Sequence, residues 1–210
     1  MIDIPDINLL NKMDPAISSF MLSDSNLKHN NMPNIHFVAL DKISPHLTKA
    51  VLSAEDDMFF LHHGFNWEEM IKALRFNLKK KKLKRGASTI TQQVARNLFL
   101  KPDKSLFRKL REFVLTYQLE NKLTKKRILE LYLNIAEFGP GIYGVAAASN
   151  YHFKLKPSQL TAAQAALLAA VLPKPKKYGK KPYPNITFSR QKDILYRLAH
   201  YDLHLPLDLK

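Results

Sequence analysis

From residue 44 to residue 199 the apolar residues of this 210-residue chain return every three or four positions, a period that confines the fold to packed helices. "SPHLTKAVLSAEDDMFF" carries Leu47, Val51 and Ala54 or Glu55 on one face, and "NWEEMIKALRFNLKKKK" carries Met70, Ala73, Leu74 and Leu78 at helical spacing. In "RGASTITQQVARNLFL", Thr89 followed three residues on by Gln92 is a capping box, so a helix is expected to start there. "DKSLFRKLREFVLTYQLENKL" reads as another amphipathic helix with Asp103 as its N-cap. "TKKRILELYLNIA", capped by Thr124, is apolar on most sides, which predicts burial. "FGPGIYG", with three glycines and a proline, predicts a tight turn. "VAAASNYHF" and "TAAQAALLAAVL" predict helices whose small residues allow close packing, the second opened by a Thr161/Gln164 capping box. A basic, proline-rich loop, "PKPKKYGKKPYP", separates them from a last helix expected over residues 188–199. The one strand-like run is "IHFVAL", residues 35–40. The fold class is therefore all-α, with at most a marginal sheet near the N-terminus and no internal repeat. The organisation reads as a mixed N-terminal segment over 1–45, one helical domain over 46–180, and a C-terminal helix of the same domain over 181–210.

Composition narrows the partners. With 46% hydrophobic residues the chain can bury a sizeable core, and its net charge of +15 calls for an anionic partner: nucleic acid, a membrane surface or a phosphate-bearing substrate. The absence of cysteine excludes disulfides and thiolate zinc sites. The N-terminal twenty residues lack the basic flank and apolar run of a signal peptide. No stretch reaches the ~18 apolar residues of a membrane-spanning helix, and the longest apolar run, "LTAAQAALLAAVLP", reads as a buried helix.

Several constellations can carry chemistry. In "AEDDMFFLHHG", Glu55 stands four residues before Phe59 and seven before His62, positions that share a face if the helix continues. A carboxylate beside aromatic rings is desolvated, which raises its pKa toward values useful for proton transfer. The alternative is a helix end with solvated acids and structural histidines; no metal site is read from the single His-His-Gly. From Thr89, the residues Gln92, Gln93 and Arg96 form a polar stripe opposite Ile90, Val94 and Leu98. Free amides, hydroxyls and a cation near a helix start suit a phosphate, although a well-capped amphipathic helix has the same pattern. Lys104, Arg108 and Glu112 recur every four residues and can share a face, as ordinary surface pairs also do. The basic run at residues 79–85 follows a helix bearing Phe65, Trp67, Met70, Leu74 and Phe76. Aromatics beside a polybasic segment favour an anionic bilayer surface over nucleic acid, for which no recognition motif is present.

Read together, "EDDMFFLHHG", "RGASTITQQVARN", "RKLRE", "RILELYLNIAEFGPGIYG" and "LTAAQAALLAAVLPKPKKY" resemble, in order, the motifs of the peptidoglycan glycosyltransferase family over about residues 47–178. The nearest type is the monofunctional biosynthetic one, since no transpeptidase domain follows. The resemblance implies a lysozyme-like domain with a small membrane-facing lobe that polymerises lipid II into β-1,4-linked glycan strands with inversion and release of undecaprenyl pyrophosphate. Carried over residue by residue, Glu55 is the general base. Arg96, Lys104, Arg108 and Lys109 are the pyrophosphate-facing cations or their neighbours, and Glu112 is the second glutamate, organising those cations or a divalent ion, Mg2+ or Mn2+. Ser88, Thr89, Gln92, Gln93 and Asn97 line the donor side. Partners implied are lipid II, the growing glycan, an anionic membrane and other cell-wall synthesis proteins, on the outer face of the bacterial cytoplasmic membrane. The chain departs from the family pattern at Arg96 and Lys104, where lysine and arginine are usual, and at Ala146, His152 and Gln164. Family members usually carry an N-terminal transmembrane helix; none is visible here, so either an upstream segment or surface attachment is expected. Two other readings come from the same residues: a relative that binds lipid-linked precursor without turnover, and a lysozyme-type hydrolase, for which the cation motifs have no use.

Overall fold

The computed structural model describes residues 6–15, 18–23, 36–80, 86–103, 105–206 and 209. Helices dominate them: α1 (Ser19–Leu22), α2 (Pro45–Glu55), α3 (Trp67–Lys80), α4 (Ile90–Phe99), α5 (Leu106–Lys122), α6 (Lys125–Ile135), α7 (Val145–Phe153), α8 (Ala162–Val171), α9 (Pro175–Tyr178) and α10 (Asn185–His200). The mainly helical class expected from the periodicity is the one observed. Both capping boxes form: the Thr89 side chain accepts from Gln92 N and the Thr161 side chain from Gln164 N, each Gln returning to the cap's own N–H. Thr124 caps α6.

Helix α8 packs against both α2 and α10. Its residues Ala165 to Val171 are all buried, and five of those seven are alanine or valine, so α2 and α10 can approach closely on either side. Separately, α4 packs against α5 and α6. In α6, Ile128, Leu129, Leu131, Leu133 and Ile135 are all buried, as its nearly all-round apolar sequence predicts. Each such aliphatic side chain contributes about 1.5–3 kcal/mol on burial.

Five local expectations are corrected. Helix α2 stops at Glu55 because Asp56 turns out of helical geometry (φ −165°), so Phe59 and His62 do not continue a helical face from Glu55. The N-cap of α5 is Ser105, whose hydroxyl accepts from Arg108 N at 3.2 Å, while Asp103 accepts from Ser105 N at 3.1 Å one step earlier. Residues 36–39 form no strand (Ile35 lies outside the described residues). Instead Asn134 of α6 satisfies both backbone groups of Val38, at 2.8 and 2.9 Å, and Glu130 accepts from Leu40 N at 2.8 Å. A side-chain mimic of a strand partner holds the segment. Among the described residues the sheet is a two-stranded antiparallel hairpin, β1 (Glu137–Gly139) with β2 (Ile142–Tyr143), at the predicted glycine turn rather than near the N-terminus. Gly144 closes it at φ +78°, with a Cβ there falling 2.5 Å from the Asn134 carbonyl oxygen, so both its backbone and its surroundings exclude a side chain. The last helix also starts at Asn185, three residues before the expected position.

Helix α3 behaves differently from the rest. Only Ala73 is buried, while Trp67, Leu74 and Leu78 are 57%, 60% and 68% exposed. The first half of α5 adds Leu106, Phe107 and Leu110, also exposed. The two regions are joined where Phe65 stacks on Phe113 with ring centroids 4.3 Å apart. Lys79 and Lys80 close α3; residues 81–85 of the basic run lie outside the described residues.

Candidate active site

Glu55 is the last residue of α2, and its half-buried carboxylate meets α4. Gln93 Nε2 donates to Glu55 Oε2 at 2.8 Å, and Tyr132 Oη of α6 donates to Gln93 Oε1 at 3.3 Å. A relay of three elements thus fixes one carboxyl oxygen. Burial pushes the Glu55 carboxyl above its ordinary value, against the Gln93 hydrogen bond and the charges of Arg190 and Arg96, with Asp56 adding to the rise. Burial, with Glu55 nearby, holds the Tyr132 phenol well above its usual range, so it remains a protonated donor.

The carboxylate opens onto a groove of about 830 Å3 lined by Ser88, Thr89, Gln93, Arg96 and Arg190 among others. An adjoining pocket of about 410 Å3 shares Gln93 and Arg96 and continues past Asn97 to Lys174, Lys176 and Lys177. Glu55 and Arg96, paired in the sequence reading, therefore stand on one continuous depression. Ser88, Gln93 and Asn97 line it. Thr89 and Gln92 are each 2% exposed and serve the start of α4. The Thr89 hydroxyl donates to Gly64 O at 2.7 Å and Gln92 Oε1 accepts from Thr89 N at 3.0 Å, so Thr89 only edges the groove and Gln92 does not reach it.

The three acids of the first motif divide their work. Glu55 faces the groove. Asp56 accepts from Ile90 N at 2.9 Å and from His62 Nε2 at 2.9 Å, tying the end of α2 to the start of α4. Asp57 is exposed on the groove wall. Phe59 is 1% exposed and turns into the core, edge-on to Phe60 and His62, with Lys125 Nζ 4.4 Å from its ring centroid. The apolar residues of the groove lining include Met58, Leu172, Pro173 and Leu203, and the phenylalanine pair is not among them.

Glu112 lies apart from that lining. It is 1% exposed, with Arg108 Nη1 2.9 Å from Oε2 and Lys109 Nζ 2.5 Å from Oε1. Neither cation lines the groove or the adjoining pocket, and Lys104 lies outside the described residues. Both Glu112 oxygens are taken by cations, and among the described residues no three His, Cys, Asp or Glu are placed so that they could hold a metal ion. This donor set fits two cationic side chains rather than a divalent ion.

Sequence reading missed the α10 wall. Arg190 faces Glu55 electrostatically while its Nε donates to Ala170 O at 3.1 Å, and Arg197 Nη1 donates to Ser53 O at 3.0 Å. Their seven-residue spacing, two helical turns, was the available signal. Two departures from the family pattern are also explained. Gln164 Oε1 accepts from Thr161 N at 3.0 Å, a capping role that needs no charge. His152 sits between Phe138 O, 3.0 Å from Nε2, and the Tyr183 hydroxyl, 2.5 Å from Nδ1, pinning the hairpin to the loop before α10. Nothing in the structure explains alanine at position 146.

Residues 24–199 match the family model described as Transglycosylase. The chain is 45% identical to a biosynthetic peptidoglycan transglycosylase of Aromatoleum aromaticum over 177 residues, 82% of this chain and 77% of that protein. It is 39% identical to the protein of that name from Paraburkholderia xenovorans over 201 residues, 94% and 84% of the two chains, and 40% identical to that of Chromobacterium violaceum over 194 residues, 90% and 85%. With the groove, its carboxylate and its cations, these matches make the chain a glycosyltransferase and a member of the transglycosylase family.

Proposed function

We propose that the chain polymerises lipid II into the β-1,4-linked glycan strands of peptidoglycan, with Glu55 as general base. The observation that carries this reading is the Glu55 carboxylate, raised in proton affinity and held by Gln93, in a groove shared with Arg96. The base takes the proton of the 4-hydroxyl of an incoming N-acetylglucosamine. The freed oxygen attacks C1 of the donor's reducing-end sugar from the face opposite the leaving group, and the C1–O electron pair departs with undecaprenyl pyrophosphate. A diphosphate is already a good leaving group, so it needs positive charge more than a proton. Arg96 meets that need, with Lys174, Lys176 and Lys177 in the adjoining pocket. Glu112 orders Arg108 and Lys109 outside the lining of the groove and its adjoining pocket, and no step is routed through them or through a metal.

The exposed apolar residues of α3 and α5, with Lys79 and Lys80, suit an anionic bilayer carrying a lipid-linked substrate. Among the described residues no helix is long and apolar enough to cross a membrane. On this reading the protein acts at the outer face of the cytoplasmic membrane, beside other cell-wall synthesis proteins. Incubating purified protein with lipid II tests the reading: glycan strands and undecaprenyl pyrophosphate are expected. Tight binding with no product would reduce the protein to a carrier of precursor.

A further inference from the structure

The segment after α10 reaches the same groove. The transglycosylase match ends at residue 199, yet Tyr201, Asp202 and Leu203 line the depression that holds Glu55. The segment is pinned there. Leu203 and Leu205 are 8% and 9% exposed and belong to the core, and Asp202 Oδ1 accepts from His204 N at 2.9 Å, a local turn that carries His204 through φ +48°. One turn back, the Arg197 bond to Ser53 O clamps α10 to the last turn of α2, which bears Glu55. Tyr201, by contrast, is 64% exposed. Tyr201 and Asp202, just before the buried leucines begin, are both exposed and both line the groove.

The charge distribution says what this wall can hold. The adjoining pocket is lined by Lys174, Lys176 and Lys177 beside Arg96, which suits an anion. In the Glu55 groove three arginines, Arg96, Arg190 and Arg197, meet five acids, Glu55, Asp56, Asp57, Glu69 and Asp202, so its lining as a whole does not favour an anion. A neutral polyol meets no such penalty: the apolar face of a pyranose covers an aromatic ring, and a carboxylate accepts strong hydrogen bonds from hydroxyls. At about 830 Å3 the groove is large for a small-ligand site, so sugar rings beyond the reacting one have room. We propose that Tyr201 and Asp202 form a sugar-binding subsite on the α10 wall of the Glu55 groove, the ring stacking on a pyranose and the carboxylate accepting from its hydroxyls. This rests on the glycan-polymerising reading for the identity of the ligand.

The test uses the full chain, calorimetric titration with a soluble β-1,4-linked N-acetylglucosamine tetramer, and steady-state kinetics with lipid II. Tyr201→Ala is expected to weaken tetramer binding about three- to tenfold, and to raise KM more than it lowers kcat. Asp202→Asn keeps the acceptor of the local turn and removes the charge, and is expected to weaken binding about threefold. Because Tyr201 is exposed, thermal midpoints should stay at the wild-type value. Glu55→Gln is expected to bind the tetramer as wild type does while losing turnover. Tetramer affinity and KM unchanged in both variants would overturn the subsite, as would a wild-type protein that does not bind the tetramer. Tyr201-dependent binding by a wild-type protein that forms no strands would sink the polymerase reading and leave the subsite standing.

Discussion

Replacing Gln93 by leucine should move the acidic limb of the pH–rate profile. Gln93 donates the 2.8 Å hydrogen bond to Glu55 Oε2 and opposes the burial that raises this carboxyl. Leucine fills much of the same volume and donates nothing. A hydrogen bond to a charged group is worth about 1.5–3 kcal/mol, and each 1.4 kcal/mol is a factor of ten. The bond stabilises the ionised form, so its loss favours the protonated one. At a fixed pH on the acidic limb, the fraction of enzyme with an ionised base should therefore fall about ten- to a hundredfold. The limb moves to higher pH, and the rate recovers toward wild type as the pH is raised. The assay is strand formation from lipid II across the pH range, with Tyr132→Phe as control: it removes the 3.3 Å bond to Gln93 Oε1 while leaving the Glu55 bond in place. A rate lowered equally at every pH, with the limb unmoved, would refute the electrostatic role given to Gln93.

Asn134→Leu should lower stability by about 2–4 kcal/mol, since it leaves both backbone groups of Val38 without their partners; calorimetry should show the midpoint falling by about 5–15 °C. His152 is held neutral by burial, its pKa lowered, so the stability it contributes is complete above its ordinary value of about 6.5 and is lost as the pH falls below it. His152→Gln, which can still pair with Phe138 O and Tyr183 but does not titrate, should flatten the acid side of a plot of thermal midpoint against pH. Leu74→Glu with Leu78→Glu should reduce co-sedimentation with anionic vesicles severalfold at unchanged thermal midpoint, because both side chains are mostly exposed.

Much of the helical plan was legible because it rests on local rules. The Thr89/Gln92 and Thr161/Gln164 boxes start helices where their spacing says, and the alanines of α8 are buried between two neighbours. What escaped depends on partners distant in sequence. The 36–39 segment reads as a strand because its side chains suit one, but its backbone is satisfied by Asn134, about a hundred residues away. Asp56, at the end of α2, is held through its carboxylate by His62 and by Ile90 N, which no periodicity encodes. At the site, Glu55, Gln93 and Arg96 stand together as their motifs imply. The α10 wall stayed hidden because Arg190, Arg197 and Tyr201 belong to a stretch that, read alone, is an ordinary amphipathic helix and its tail.

The base assignment is tested most directly by a single-turnover measurement of Glu55→Gln with lipid II. The amide keeps the size of the carboxylate and still accepts from Gln93, so the thermal midpoint should hold. The rate of bond formation should fall about 10²- to 10⁴-fold, the range a positioned general base supplies. A rate within threefold of wild type would contradict the assignment.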